Sequence, residues 1–334
     1  MSQIARHAIR SQMNGGGLVY VGRRLRMERT FHTTTCEAVK FRTPADVTPG
    51  TTNTSECVTM QLNRCRSATK QYGTNGLESS RSTPSKASPV AQYAPSPNQE
   101  DLDVISMRKK ILSNTVPSRH HMTPEITLHL ITPDCTIYHQ PVGANATFAM
   151  DPFWGFFWPG GQALTRFILD TAHVFRGKSV LDVGCGCGAS AIAALMVGAS
   201  RVTANDIDPV ALQATLLNAE LNGITVNQLA FSGDNFISNG ADTQTTNQYE
   251  VVLIGDLFYD TEIAADLHPW IQRLARAGTE IFIGDPGRHG ITETGVLSNM
   301  ERLVRYKLPE NICLENSGFS YANVWRFRLP TEGM

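Results

Sequence analysis

The spacing of apolar positions divides the chain into segments of different character. Between 36 and 100 apolar residues are sparse, and Ser, Thr, Pro, Asn and Gln dominate, as in "SRSTPSKASPVAQYAPSPNQ". Such a segment buries too little apolar surface to offset the entropy of ordering it, so it is predicted to be disordered. Periodicity begins in residues 101–150. Leu102, Ile105, Met107 and Ile111 recur at helical spacing, which predicts a helix over "DLDVISMRKKILSNTV". "EITLHLI" alternates, with Ile126, Leu128 and Leu130 on one side, and reads as a strand. "TPDC" then reads as a turn and "TIYHQPV" as the partner strand of a β-hairpin.

Residues 151–330 repeat a strand–helix pattern. "KSVLDVG" is a continuous apolar strand, and the Ala-rich "ASAIAALMV" is a helix that Gly198 stops. "SRVTAND" is the next strand. Asp208 caps a helix with Pro209 at its first position, running to about Asn222 before Gly223. "YEVVLIGD" and "TEIFIGD" are further strands around the helical "TEIAADLHPWIQRLAR", in which Pro269 is a candidate kink or start. "YKLPENICL" and "SYANVWRFRL" are expected to close the fold as strands. Alternation of this kind predicts an α/β, Rossmann-like domain: a mostly parallel sheet with helices on both faces.

Composition adds limits. With 29 basic and 30 acidic side chains in 334 residues, overall charge provides no attraction for nucleic acid. No apolar run reaches the length of a membrane span. The odd count of seven cysteines argues for reduced thiols rather than a disulfide framework. Arg6, Arg10, Arg23, Arg24 and Arg26 precede the first acid, Glu28. An Arg-rich, acid-poor start reads as a transit peptide, here residues 1–35, which would place the protein in the mitochondrial matrix.

The chemistry concentrates where strands end. In "LDVGCGCGAS", Asp182, Gly184, Gly186 and Gly188 form D-x-G-x-G-x-G at the first strand–helix turn. This is neither the dinucleotide fingerprint nor a phosphate loop with its Lys-Ser/Thr. An acid there repels pyrophosphate and favours a cation. Asp206 closes the next strand, about 20 residues on, where an acid accepts from a ribose diol. A nucleoside with a cationic tail and no phosphate meets both conditions, and S-adenosylmethionine is such a ligand. Cys185 and Cys187 read as small residues between the glycines, because C-x-C without a second ligand pair is poor evidence for zinc, and no metal site is expected. "GDLFYD" puts Asp256, Phe258 and Tyr259 at the end of the third strand of the pattern, beside the place of the sulfonium. "DPFWGFFWPGGQAL" holds Trp154, Phe156, Phe157 and Trp158, which suit either a core or a pocket wall. "GDPGRHG" ends the next strand with Asp285 and Arg288, a turn that faces the same cleft.

These motifs resemble those of the seven-β-strand, S-adenosylmethionine-dependent methyltransferases, in the protein-lysine branch with a D-x-x-Y/F signature. "MTPEITLHLITPDC", "DPFWGFFWPGGQAL", "GDLFYD", "IGDPGR" and "ENSGFSYANVWRF" look like the methyltransferases of the electron transfer flavoprotein β-subunit, over roughly residues 115–328. The resemblance implies seven strands with the last one antiparallel. It implies a mitochondrial or bacterial setting and a protein substrate, the flavoprotein β-subunit. Asp182 and the loop glycines would bind the methionine end of the cofactor, Asp206 the ribose, and Trp158 and Asp256 would complete the cofactor pocket. Asp256 and Tyr259 would serve catalysis near the target lysine, with Trp154, Phe258, Asp285 and Arg288 lining the substrate cleft. The 36–100 insert and the cysteines of "GCGCG" depart from the family without touching its motifs. The ribosomal protein L11 methyltransferases share the glycine loop, but carry an Asn-containing motif where this chain has "GDLFYD". A non-catalytic assembly factor on the same fold would be expected to erode the cofactor acids, and Asp182 and Asp206 are both present.

Overall fold

The computed structural model describes residues 99–140, 147–225, 227–237, 248–315 and 318–329. The predicted transit peptide, 1–35, and residues 36–98 of the predicted disordered segment 36–100 lie outside the described residues; its last two, Gln99 and Glu100, are instead helical. The first described element is helix α1 (Gln99–Asn114). It is followed by two short antiparallel strands, β1 (Val116–Ser118) and β2 (Leu128–Leu130).

The alternating elements then build one sheet. In chain order they are α2 (Pro159–Asp170), α3 (Ala172–Phe175), β3 (Ser179–Val183), α4 (Ala189–Met196), β4 (Arg201–Asn205), α5 (Pro209–Leu221) and β5 (Leu229–Ser232). Then follow β6 (Val251–Gly255), α6 (Thr261–Arg276), β7 (Glu280–Asp285), α7 (His289–Glu293), β8 (Met300–Lys307), α8 (Glu310–Glu315) and β9 (Tyr321–Phe327). The strand order in the seven-stranded sheet is β5-β4-β3-β6-β7-β9-β8. Neighbours among β3 to β7 pair in parallel, and β9 runs antiparallel to both β7 and β8. This is the expected fold, antiparallel last strand included.

The central strands read as unbroken apolar runs because both faces are covered. Val180, Leu253 and Phe282 pack with Leu164, Phe167 and Ile192 of α2 and α4. Their neighbours Leu181, Ile254 and Ile283 pack on the other face with Leu267, Ile271 and Leu274 of α6. A third cluster joins Ile111 of α1, Ile131, Tyr138, Phe148 and Trp154 to Ala211, Ala214 and Leu217 of α5. Among the described residues no helix is long and apolar enough to cross a membrane.

The structure revises several local expectations. The partner of β2 is β1 upstream of it, and Thr136–His139 is a 3-10 turn. Ile137 and Tyr138 are both buried although adjacent, which a strand with alternating sides does not allow. The strand near "YKLPENICL" is instead Met300–Lys307, and Pro309 precedes a helix at Glu310–Glu315. Pro269 lies within α6 without ending it. The buried face formed by Leu267, Trp270, Ile271 and Leu274 offsets the bond that proline removes. Strand β5 has only four residues, one of them buried, and lacked a sequence pattern.

Candidate active site

The carboxyl ends of β3, β4, β6 and β7 converge on one side of the sheet, where open α/β folds bind ligands. The turn after β3 is shaped by its glycines. Gly184, Gly186 and Gly188 have φ of 62°, 52° and 76°, in the left-handed region. Besides its strained φ, a Cβ on Gly188 would meet Thr215 Cγ2 at 2.5 Å. At Gly186 a Cβ would meet Trp154 Cα at 3.8 Å, an ordinary contact, so there the positive φ and not crowding calls for glycine.

Two carboxylates hold this turn through amides. Asp182 is buried and accepts from Ala191 N at 3.0 Å, at the start of α4. Asp206 accepts from Gly186 N at 3.0 Å and from Asp208 N at 3.0 Å. Burial pushes the Asp182 carboxyl up to about 7, with the neighbouring Asp206 adding to the effect. Asp206 is raised too, by burial, against the pull of its two amides. Neither carboxylate is ion-paired with a described cation. A buried acid without a counter-ion is stabilised by an incoming positive charge. The left-handed glycine turn and these two acids without an ion pair to a described cation are chemically suited to a cationic, hydroxyl-bearing ligand such as S-adenosylmethionine.

The cysteines between the glycines are structural. Both are buried, and burial pushes the Cys187 thiol up to about 12 and Cys185 upward as well. Neither supplies a thiolate near neutral pH.

The second half of the site is built differently. Asp256 has φ of 60°, the only positive value among the described non-glycine residues. Its Oδ1 accepts from Arg288 Nε at 2.7 Å, and its Oδ2 accepts from Gly160 N at the start of α2. The two charged side chains of this pair are 4% and 5% exposed. Asp285 Oδ1 accepts from the amides of Gly287 and Arg288, at 2.6 and 2.8 Å, and fixes the loop that delivers Arg288. Burial and the nearby Asp256 push the Asp285 carboxyl up. The Arg288 guanidinium lies 5.9 Å from the Trp158 ring centre and 5.2 Å from that of Phe319.

The expected site residues therefore separate. Asp256, Asp285, Arg288 and Trp158 do meet, with Asp256 ion-paired to Arg288; the Asp256 carboxylate is buried in that pair, which keeps it from orienting a substrate ammonium. Phe258 is 0% exposed and belongs to the core under α6, not to a cleft. Trp154, at 2%, packs with Phe148 and α5 and is likewise core. Tyr259 is half-buried, with burial raising its hydroxyl, and its ring lies 6.4 Å from that of exposed Phe153. Phe153 in turn stands 6.3 Å from Trp158, whose Nε1 donates to Phe153 O. Tyr259, Phe153 and Trp158 are the aromatic rings left to border an entering side chain. A cavity of about 210 Å³ is lined by Trp158 together with His121, Phe157, Gln162 and Asn311, and by no member of the glycine turn.

Residues not singled out from the sequence also shape the site. On α5, Thr215 donates to Gly186 O at 3.1 Å and Asn218 Nδ2 to Cys187 O at 2.8 Å, which ties the helix to the glycine turn. Asn218 Oδ1 also accepts from His129 N, and Asn222 exchanges two bonds with the Thr127 backbone. Thr215, Asn218 and Asn222 fall at i, i+3 and i+7 on one helix face. A polar stripe on an otherwise apolar helix was the signal that could have found them.

The sequence is similar to known proteins in two ways. Residues 162–279 match the family model described as ribosomal protein L11 methyltransferase (PrmA). Over longer spans the chain is similar to proteins named electron transfer flavoprotein beta subunit lysine methyltransferase. The protein of Danio rerio is 40% identical over 245 residues, 72% of this chain and 89% of that one. The protein of Xenopus laevis is 44% identical over 226 residues, 66% of this chain and 86% of that one. A ribosomal protein L11 methyltransferase of Laribacter hongkongensis is 36% identical, but over 44% of this chain and 46% of that one. The L11-type family match ends at residue 279, after α6 and before β7, whereas the flavoprotein-type relatives match longer stretches of the chain.

Proposed function

This chain belongs to the electron transfer flavoprotein β-subunit lysine methyltransferase family, and on that premise we propose that its substrate is the β-subunit of an electron transfer flavoprotein, in the mitochondrial matrix. The chemistry is S-adenosylmethionine-dependent N-methylation of protein lysine. The names of the relatives support the choice of substrate, and the arginines ahead of Glu28 support the location. The observation that carries the cofactor reading at this site is the pair of acids, buried Asp182 and half-buried Asp206, closed around a left-handed glycine turn without an ion pair to a described cation.

S-adenosylmethionine supplies a methyl group on a positively charged sulfur. The residues of this chain do the rest. Asp182 and Asp206 bind, with the former favouring positive charge and the latter accepting from hydroxyls. The attacking lysine must be neutral, and removing its proton at pH 7 costs about 4–5 kcal/mol from a reference pKa near 10.4. A dry border of Tyr259, Phe153 and Trp158 lowers that cost by disfavouring the ammonium. Holding the amine in line with the methyl provides the larger contribution, up to about 7–11 kcal/mol for well-oriented groups. Asp256 and Arg288 act as positioning residues: they fasten the end of β6 to Gly160 and to the loop after β7, and so set where Trp158 and Tyr259 stand.

The test is transfer of labelled methyl from S-adenosylmethionine to the purified flavoprotein β-subunit, with the product mapped by mass spectrometry. New methyl-lysine on that subunit is the expected result. An unmodified subunit, with another matrix protein labelled instead, would replace the substrate while keeping the chemistry. Fractionation of cells carrying the full chain checks the location, and a signal confined to the cytosol would overturn it.

A further inference from the structure

The register of the last two strands gathers on one face three cations that have no ion pair among the described residues. Arg302 lies opposite Trp325, Arg305 opposite Asn323 and Lys307 opposite Tyr321. A register shift between Arg302 and Val304 brings Arg302 and Arg305 to the same side despite their odd spacing. The alternate residues Val304, Tyr306, Ala322 and Val324 face one core cluster, so the cations lie on the opposite side, where Trp325 borders the other cluster and all three cations are exposed. The Arg302 guanidinium lies 5.8 Å from the Trp325 ring centre and that of Arg305 lies 4.0 Å from Tyr321.

The same two strands pair their other cations. Arg326 bonds Glu280, and Arg328 bonds Glu301. Among the described residues no carboxylate stands within ion-pair distance of Arg302, Arg305 or Lys307. The chain as a whole is balanced, with net charge −1, so the patch is a local feature and not a share of general basicity. A ring covering one side of a guanidinium fixes its plane and leaves the edge N–H groups directed outward, the geometry that carboxylates accept in pairs. The inner border of the face is Asn323, which pairs across to Asp285, the residue that holds the Arg288 loop beside Asp256. A partner on this face therefore lies alongside the transfer site.

We propose that the open β8–β9 face, through Arg302, Arg305 and Lys307, docks an acidic surface segment of the protein substrate. The proposal rests on the protein-lysine methyltransferase reading and gives that reaction its recognition surface. A protein is favoured over nucleic acid because the three cations lie on a single eight-residue strand of a chain with balanced charge, where a polyanion would meet repulsion from the remaining acids.

The test uses the full chain carrying Arg302→Glu, Arg305→Glu and Lys307→Glu together, assayed on the purified flavoprotein β-subunit. The KM for that protein should rise at least about tenfold, with kcat at saturation and the KM for S-adenosylmethionine unchanged. Arg305→Gln alone should give a smaller rise in the same direction. In the unmodified enzyme, raising salt from about 50 mM to about 500 mM should raise the protein KM and leave the cofactor KM level. Should the triple variant fail to fold, that salt series decides, and a flat protein KM overturns the proposal. An unchanged KM in the folded variant overturns it as well, as does loss of single-stranded oligonucleotide binding with the protein KM intact, which would assign the face to nucleic acid. If the unmodified enzyme transfers nothing to the β-subunit, the substrate reading fails and takes this docking surface with it. Transfer with an insensitive KM defeats the docking surface alone.

Discussion

The two halves of the candidate site hold carboxylates at the ends of parallel strands, yet they treat the charge in opposite ways. At β3 and β4, Asp182 and Asp206 are held by backbone amides alone. Their charge is left uncompensated, and burial pushes both pKa values up. At β6 and β7, Asp256 is neutralised by Arg288 and anchored by Gly160. The first half is thereby ready to take a cation from outside, and the second half already contains its own. The difference shows that an acid at a strand end is not by itself a ligand-binding group; the identity of its partner decides.

The comparison breaks most readily at the buried ion pair. Asp256→Ala removes the carboxylate that Arg288 Nε bonds in the buried pair, and the expected loss of stability is about 3–5 kcal/mol by urea unfolding, together with methyl transfer. The double replacement Asp256→Leu with Arg288→Met should recover much of that stability and none of the activity. A stable Asp256→Ala protein would mean the pair is not the scaffold described. In the other half the effect should fall on binding. Asp206→Asn removes the charge that accepts from Gly186 and Asp208, and the affinity for S-adenosylmethionine should weaken by about 1.5–3 kcal/mol, or roughly 10–150-fold. Calorimetric titration checks this, with unfolding expected to change less than in Asp256→Ala.

The smallest effect sharpens the contrast through pH. The Asp182 carboxyl stands at about 7 in the folded chain, above its value of about 3.9 when unfolded. Between those values the unfolded chain has lost the proton and the folded chain keeps it, so this group makes stability fall as pH rises. A bound cation reverses the preference and favours the carboxylate. Binding of S-adenosylmethionine should then release a proton and tighten with pH, by up to about tenfold per unit below 7, levelling above it. Calorimetry in buffers of different ionisation enthalpy measures the proton, and Asp182→Asn should flatten the profile. An unaltered slope in that variant would show that Asp182 does not sense the ligand's charge.

Much of the cofactor half was legible in advance, because its signals are local. The glycines that must be left-handed, the strand before them and the Asp208 cap with Pro209 after it all lie within a few residues of one another, and each obeys a rule of backbone geometry. The other half was misread wherever a role depended on what lies across the sheet. Phe258 and Trp154 carry the composition of a cleft wall, but the packing of α6 and α5 encloses them. Thr215, Asn218 and Asn222 passed as ordinary helix residues because the carbonyls they bond belong to distant segments. The short β5, with one buried residue, had no period to detect.

By itself, the sequence determined the alternating fold, the turn that receives the cofactor and the two acids beside it, since strand periodicity, glycine placement and capping act over a few residues. The tertiary structure alone decided that Arg288 would neutralise Asp256 from 32 positions away, and that Arg302, Arg305 and Lys307 would share an open face. Both outcomes depend on strand order and register, which bring distant side chains within reach of one another or keep them apart. No local pattern specifies them, because electrostatic and packing energies follow distance in space and burial, not separation along the chain.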